Sequence, residues 1–350
     1  MKNLANNFNR IREVNTDLVR SALKAAEAAT KAGLAAATGL SVATCGNILT
    51  EMLARGEAME LELGVPEGGR PPRLYSYQPM FSLSALLFPK AEAGRKRLLF
   101  ETVDARGKVV EKGEVQVERA DLHALDELIE DLKGRYVNLK ALAVSIPGLV
   151  RDGRVGFSDL PELDGTDVAN HFRSRHNLQV SVENDVNLAA LGFYDQFPER
   201  SGDSVAYLVV PHQNCTGAGL VVDGMLIRGH TCFAGELSFI PDAVSRDMQF
   251  AGLEPAAALA YVARMAAAII PVFNPATLVV ASELADDDAL AMLRDFCRQR
   301  VPEEHLPTFV ARRSLDEDCL AGLGFMALSS ISGKVRLVED ERISKNINAV

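Results

Sequence analysis

The sequence predicts an α/β protein in two parts: an N-terminal winged helix-turn-helix, then a larger body in which strands and helices alternate through two lobes. Three observations predict it. Apolar residues recur at helical spacing between Leu18 and Leu53. A short alternating run from Glu57 to Tyr75 is broken by a Pro/Gly-rich tip, GVPEGGRPPRLY. From about residue 79 onward, strand-like and helix-like apolar runs follow one another.

The first helix is read from Thr16 to about Glu27 (TDLVRSALKAAE), with Leu18, Val19, Ala22 and Leu23 on one face. Thr30 offers a side-chain oxygen as N-cap of a second, short helix that turns Leu34 and Ala35 inward. That helix stops at Thr38-Gly39-Leu40-Ser41, where Gly39 permits a tight turn, Leu40 packs inward and Ser41 caps the next helix. The third helix, Val42 to about Ala54, gathers Cys45, Ile48, Leu49, Met52 and Leu53 into one stripe. Val42, Ala43, Gly46 and Asn47 are left on the opposite face near its start, where a recognition helix meets base edges. Met59, Leu61 and Leu63 alternate into the hairpin, which reads as a wing. Its Gly69-Arg70-Pro71 tip is like the short Arg-bearing segments that enter A·T minor grooves. A helical cap or dimerisation module with a polar turn is the other reading of the same spacing.

In the body, strands are expected at Phe81–Phe88, Leu98–Val103, Leu142–Ser145, Val180–Val182, Ala206–Val210, Gly219–Val222 and Thr277–Ala281. Helices are expected at Leu122–Leu132, Val186–Gln196, Pro255–Ile270 and Asp287–Gln299. No internal repeat is evident. The domain boundaries that follow are 1–78, 79–197 for a first lobe and 198–350 for a second.

Composition narrows the class. Hydrophobic residues are 48% and charged residues 24%, the mix of a globular protein. No apolar run is expected to approach the ~20 residues a membrane span needs, and the start has no apolar signal core, so a cytoplasmic location is expected. Cys45, Cys215, Cys232, Cys297 and Cys319 are odd in number and scattered, which opposes a disulfide framework. The net charge of −10 is unevenly divided. Residues 1–56 hold seven Lys/Arg against four Asp/Glu, whereas residues 81–350 hold 28 against 39. Phosphate-seeking charge is therefore confined to the N-terminal end.

Asn15, Val19, Thr30, Leu34, Ala35, Thr38 to Ser41, Thr44, Leu53, Gly56 and Gly68 to Tyr75 together resemble the DNA-binding domain of ROK-family repressors, regulators that share a domain with bacterial sugar kinases. One departure is Gly46-Asn47, where relatives often carry Ser-Arg. The resemblance continues through four segments: Ser145 to Val150 with Gly153 to Leu160, Val182 to Ala190, Thr216 to Gly219 with Gly224 to Gly229, and Ala234 to Leu237. It implies an actin-like (ribonuclease-H-like) ATPase-type domain of two lobes. It also implies Asn184, Asp185 and Glu236 as the groups facing a sugar's hydroxyls, with Asp185 at the family's catalytic-base position. Asn184 and Asp185 read equally well as caps of the following helix, and Glu236 as a solvated loop acid.

Three of the family's phosphate-binding elements are replaced here. Leu87 to Gly94 stands where family kinases have D-x-G-G-T, Pro211 to Cys215 where they have a Gly-rich approach to G-A-G, and Ala281-Ser282 where they have Gly-Gly. Phosphoryl transfer depends on positioning and charge neutralisation, so these losses predict no catalytic residues, no kinase activity and no cofactor. The zinc-binding His of A-G-E-x-G-H is replaced within Ser238-Phe239, and the stretch that follows has no cysteine, so no metal site is expected. The expectation is a regulator that grips a palindromic operator in double-stranded DNA as a homodimer or higher homo-oligomer. Its contacts are Ser41, Val42, Ala43, Thr44, Asn47, Arg70 and Arg73, and a sugar-like effector is its candidate ligand. The alternatives are a sugar kinase carrying an extra DNA-binding domain, or a DNA-binding scaffold that responds to no ligand.

Overall fold

The computed structural model describes residues 2–61, 73–92, 94–197, 203–210 and 216–331. They fall into two compact units, one built on residues 1–83 with 104–108 and the segment from Leu328, the other on 84–103 with 109–327.

The first unit is three helices and a hairpin: α1 (Lys2–Ala25), α2 (Lys31–Thr38), α3 (Val42–Ala54), β1 (Ala58–Leu61) and β2 (Leu74–Tyr77). Thr30 caps α2 through Gly33 N, and Ser41 caps α3 through Thr44 N at 3.0 Å. Gly39 closes α2 at φ 70°, a left-handed conformation that a Cβ would penalise. Val19, Leu23, Leu34, Cys45, Ile48, Leu49 and Met52 form one core with Ala58, Tyr75 and Tyr77 of the hairpin. Two expectations change. The first helix begins well upstream of Thr16, and its N-terminal part exposes Ile11 and Val14, so its apolar periodicity is weak there. In the wing, Met59 faces outward while Ala58, Tyr75 and Tyr77 face in, because the β1–β2 register pairs Ala58 with Tyr77. The wing tip, with Leu63 and Arg70, lies outside the described residues.

The second unit is built on two five-stranded sheets. The first has the order β5 (Val109–Val117), β4 (Arg95–Val103), β3 (Leu83–Glu92), β6 (Leu139–Ile146), β9 (Gln179–Asn184). The second runs β12 (Met225–Leu226), β11 (Gly217–Val222), β10 (Ser204–Val209), β13 (Thr277–Ala281), β14 (Thr308–Arg312). In chain order each sheet reads third, second, first, fourth, fifth. The molecule thus carries an internal duplication of topology that no sequence repeat reveals. Each sheet has an antiparallel hairpin on one side and a parallel crossover on the other, β6 with β9 and β10 with β13.

Two helices, α6 (Asp185–Asp195) and α10 (Asp316–Ile331), join the sheets. Leu188, Ala189, Ala190, Phe193, Cys319, Leu323 and Ala327 pack with Leu86, Phe88 and Ala143 of the first sheet and Val205, Tyr207 and Val279 of the second. The two helices cross at glycines. A Cβ on Gly192 would strike the Asp318 carbonyl, and one on Gly322 the Leu188 carbonyl. Asp318 anchors the junction: it is buried and accepts from Tyr207 Oη (2.8 Å), Gln196 Nε2 (2.9 Å) and Arg312 Nε (3.0 Å).

α8 (Pro255–Phe273) is apolar along its 19 residues except at Arg264, so one run does approach the length of a membrane span. Its inner face, Ala258, Tyr261, Val262, Met265, Ala266, Ile269 and Ile270, packs on the second sheet and on α9 (Asp287–Arg298), the environment of a core helix.

Candidate functional site

Two surfaces carry the residues that the sequence marks. In the first unit, the buried stripe of α3 fixes which side of that helix remains outside. Val42, Ala43 and Asn47 are exposed, and Thr44 and Gly46 half-buried. Ser41 and Thr44 are committed to the cap, their hydroxyls 2.8 Å apart. Arg73 immediately precedes β2 and pairs with Glu60 at 2.8 Å. α3 has no basic residue, so its outward face is neutral apart from Glu51, which pairs with Arg12.

In the second unit the marked residues sit where the strands end. Asn184, the last residue of β9, caps α6 by accepting from Asn187 N at 3.0 Å. It also donates to the Gly148 carbonyl at 2.9 Å and to Asp185 Oδ1 at 3.1 Å. Both ends of its amide are occupied, so the structure uses it as a cap. Glu183 is buried and accepts from Asn184 N, Asn187 Nδ2 and Arg228 Nε, the last at 2.7 Å. It fixes the strand-to-helix turn from below.

Asp185 is the first residue of α6, and its Oδ1 accepts from Val186 N at 2.9 Å. Burial pushes its carboxyl up to about 7, and the neighbouring Asp159 carboxylate adds to the rise. Asp159 is itself raised to about 6, by burial and then by Glu236. Burial also raises Glu236, against the pull of Arg246. Asp159 thus links to Asp185 on one side and to Glu236 on the other, and burial disfavours the charged form of each of the three carboxyls. Sequence reading singled out Asp185 and Glu236. It did not single out Asp159, which directly follows β8 (Arg154–Ser158), the strand paired with β7 (Gly148–Arg151). The only signal was its place near the end of the Gly153–Leu160 segment.

The positions expected to hold phosphate are engaged otherwise. The β3–β4 ladder continues to the Glu92–Arg95 pair. Lys90 Nζ meets both oxygens of Asp316 at 2.8 Å and Glu92 at 2.6 Å. Ser282 N donates to the Arg312 carbonyl at 2.9 Å. Pro211 to Cys215 lie outside the described residues. The zinc position fares similarly. Ser238 is buried and accepts from Arg246 Nη1 at 2.7 Å, and Phe239 stacks on Phe233 beneath that same guanidinium. A hydroxyl and a phenyl ring already satisfied by their neighbours do not fit a structural zinc.

Two five-stranded sheets of the same strand order, bridged by paired helices, define the actin-like fold of the sugar kinases and of regulators built on them. Residues 91–252 match the model of the ROK family. The chain is similar to the xylose repressor of Bacillus subtilis, at 20% identity over 65% of this chain and 60% of the relative. It is also similar to a putative xylose repressor of a Caldicellulosiruptor species, at 24% identity over 65% and 58%. It therefore spans about three-fifths of the length of these relatives. Among solved structures it resembles a ROK family transcriptional regulator, a homolog of the E. coli MLC protein. That match has a TM-score of 0.65 and 18% identity, and covers 91% of this chain and 99% of that one. It also resembles a ROK hexokinase of Thermus thermophilus, with a TM-score of 0.56 and 18% identity, over 71% and 99%.

Proposed function

We propose that this protein is a cytoplasmic, dimeric ROK-type transcriptional regulator, with residues 1–78 binding a palindromic operator and the two-sheet domain sensing a neutral sugar or polyol. The observation that carries the reading is α3. It is capped at Ser41, pinned by a fully buried stripe, and presents Val42, Ala43 and Asn47 outward, exposed among the described residues. Repressors among the relatives and a regulator among the structural neighbours support it. Carboxyls accept well from sugar hydroxyls, and three adjacent ones repel a phosphorylated ligand, which favours a neutral effector at Asp159, Asp185 and Glu236. Full-length protein should retard promoter DNA with an affinity that falls steeply with salt, and a chain truncated to residues 79–350 should not. Equal binding by the truncated chain would remove the N-terminal unit from the function.

A second reading, a sugar kinase with an added domain, is favoured by one feature: Asp185 titrates near neutrality, which suits a general base. Lys90, Asp316 and Glu92 argue against it, since they close on one another at the expected phosphate position. Purified protein should show no sugar-dependent ATP turnover. Turnover that disappears in Asp185→Asn would establish the kinase reading.

A further inference from the structure

A helix that reads DNA needs cations at its flanks, because phosphate contacts hold it in register. Here α3 has none. The described cations around it are mostly committed: Arg12 to Glu51, Arg20 to Asp17 and Glu57, and Arg55 to Glu57, while Lys24 lies over the Tyr77 ring. Lys31 differs. It is the first residue of α2, half-buried, and no carboxylate pairs with it among the described residues. Its arm lies across the bare backbone of Gly46: a Cβ built there would stand 3.5 Å from Lys31 Cδ and 3.6 Å from Nζ. Gly46 is one turn on from Val42 and adjacent to Asn47, so the ammonium sits beside the outward residues of α3. A mid-helix glycine costs about 1 kcal/mol relative to alanine. At this position it gives α3 a surface low enough for a side chain from α2 to cross.

We propose that Lys31 supplies the cation that the recognition helix lacks, contacting a DNA phosphate next to the bases that Val42, Ala43 and Asn47 face. The inference rests on the DNA-binding reading above and adds the residue that carries the electrostatic contact. The alternative role is internal: Nζ stands 5.7 Å from the Tyr75 ring, so Lys31 could serve only to pack α2 against the hairpin.

The two roles separate by salt dependence. Binding of the full chain to a mixed-sequence DNA duplex is measured across a salt series, with thermal melting run alongside. Losing one phosphate contact lowers the slope of log affinity against log salt by about 0.9. Lys31→Met, which keeps the apolar arm, and Lys31→Gln should both show that drop with melting unchanged, and Lys31→Arg should keep the wild-type slope. Gly46→Ala should also keep it, because its Cβ would make only ordinary contact with Lys31. A wild-type slope in Lys31→Met and Lys31→Gln overturns the proposal and leaves DNA binding intact. Wild-type protein that shows no salt-dependent binding at all overturns the DNA reading and this inference with it.

Discussion

Asp185 begins a helix, a position that ordinarily favours a carboxylate, yet burial and Asp159 outweigh that and hold it near 7. The consequence for stability has a definite sign. Below about pH 4 the carboxyl is protonated in folded and unfolded chains alike, and no penalty arises. From there to about 7 the unfolded chain releases the proton and the folded one keeps it, so stability falls as pH rises, by a ceiling of about 4 kcal/mol. Asp159 adds a fall of the same sign that ends near pH 6. Asp185→Asn should therefore melt above wild type at pH 8, with the gap closing toward pH 4. A gap that stays constant between those values would contradict the burial argument. Asparagine can still accept from Val186 N, so the substitution tests charge rather than the helix start.

At the scale of elements, the α6–α10 crossing depends on backbone meeting backbone at Gly192 and Gly322. Gly322→Ala drives a methyl into the Leu188 carbonyl and should cost about 1–3 kcal/mol or more, as overpacking does. Gly134 provides the contrast. It lies in the last turn of α4 (Leu122–Arg135) with nothing near its missing Cβ, so Gly134→Ala should be neutral or stabilise by up to about 1 kcal/mol. Urea midpoints at unchanged m-value would register both. The same crossing explains why α10 escaped sequence reading: two glycines in Asp316–Ile331 weaken a helical signal that tertiary contact requires. β5 escaped for a different reason. It is a sheet edge carrying Glu111, Lys112 and Glu114, and its apolar run is short. Charges of this kind blunt an edge against pairing with another chain.

For the whole molecule, regulation requires that the effector prefer one state of the protein. A coupling of about 1–3 kcal/mol would change DNA affinity about 5–150-fold. Operator affinity measured with and without millimolar sugars should shift in this range for the cognate effector, and Asp185→Ala should abolish the shift. A shift that persists in Asp185→Ala would move the ligand away from the three carboxyls. The charge division is compatible with the proposed design, in which a net negative body would be repelled by DNA and contact would fall to the N-terminal unit.

Much of this was legible from sequence alone where the determinants are local. Caps at Thr30 and Ser41, the turn at Gly39, the buried stripe of α3 and the strand at Thr277–Ala281 each depend on residues within a few positions of one another. The family motifs likewise named Asp185 and Glu236 as candidates. Tertiary structure alone decided which polar groups are spent and which are left to act. Asn184 became a cap and Glu183 an anchor for Arg228, while Asp159 joined the carboxyl group from a distant loop. The duplicated sheet order, the glycine crossing and the placement of Lys31 over Gly46 are also tertiary. Each arises from segments far apart in the chain, and periodicity reports only what a residue's near neighbours demand.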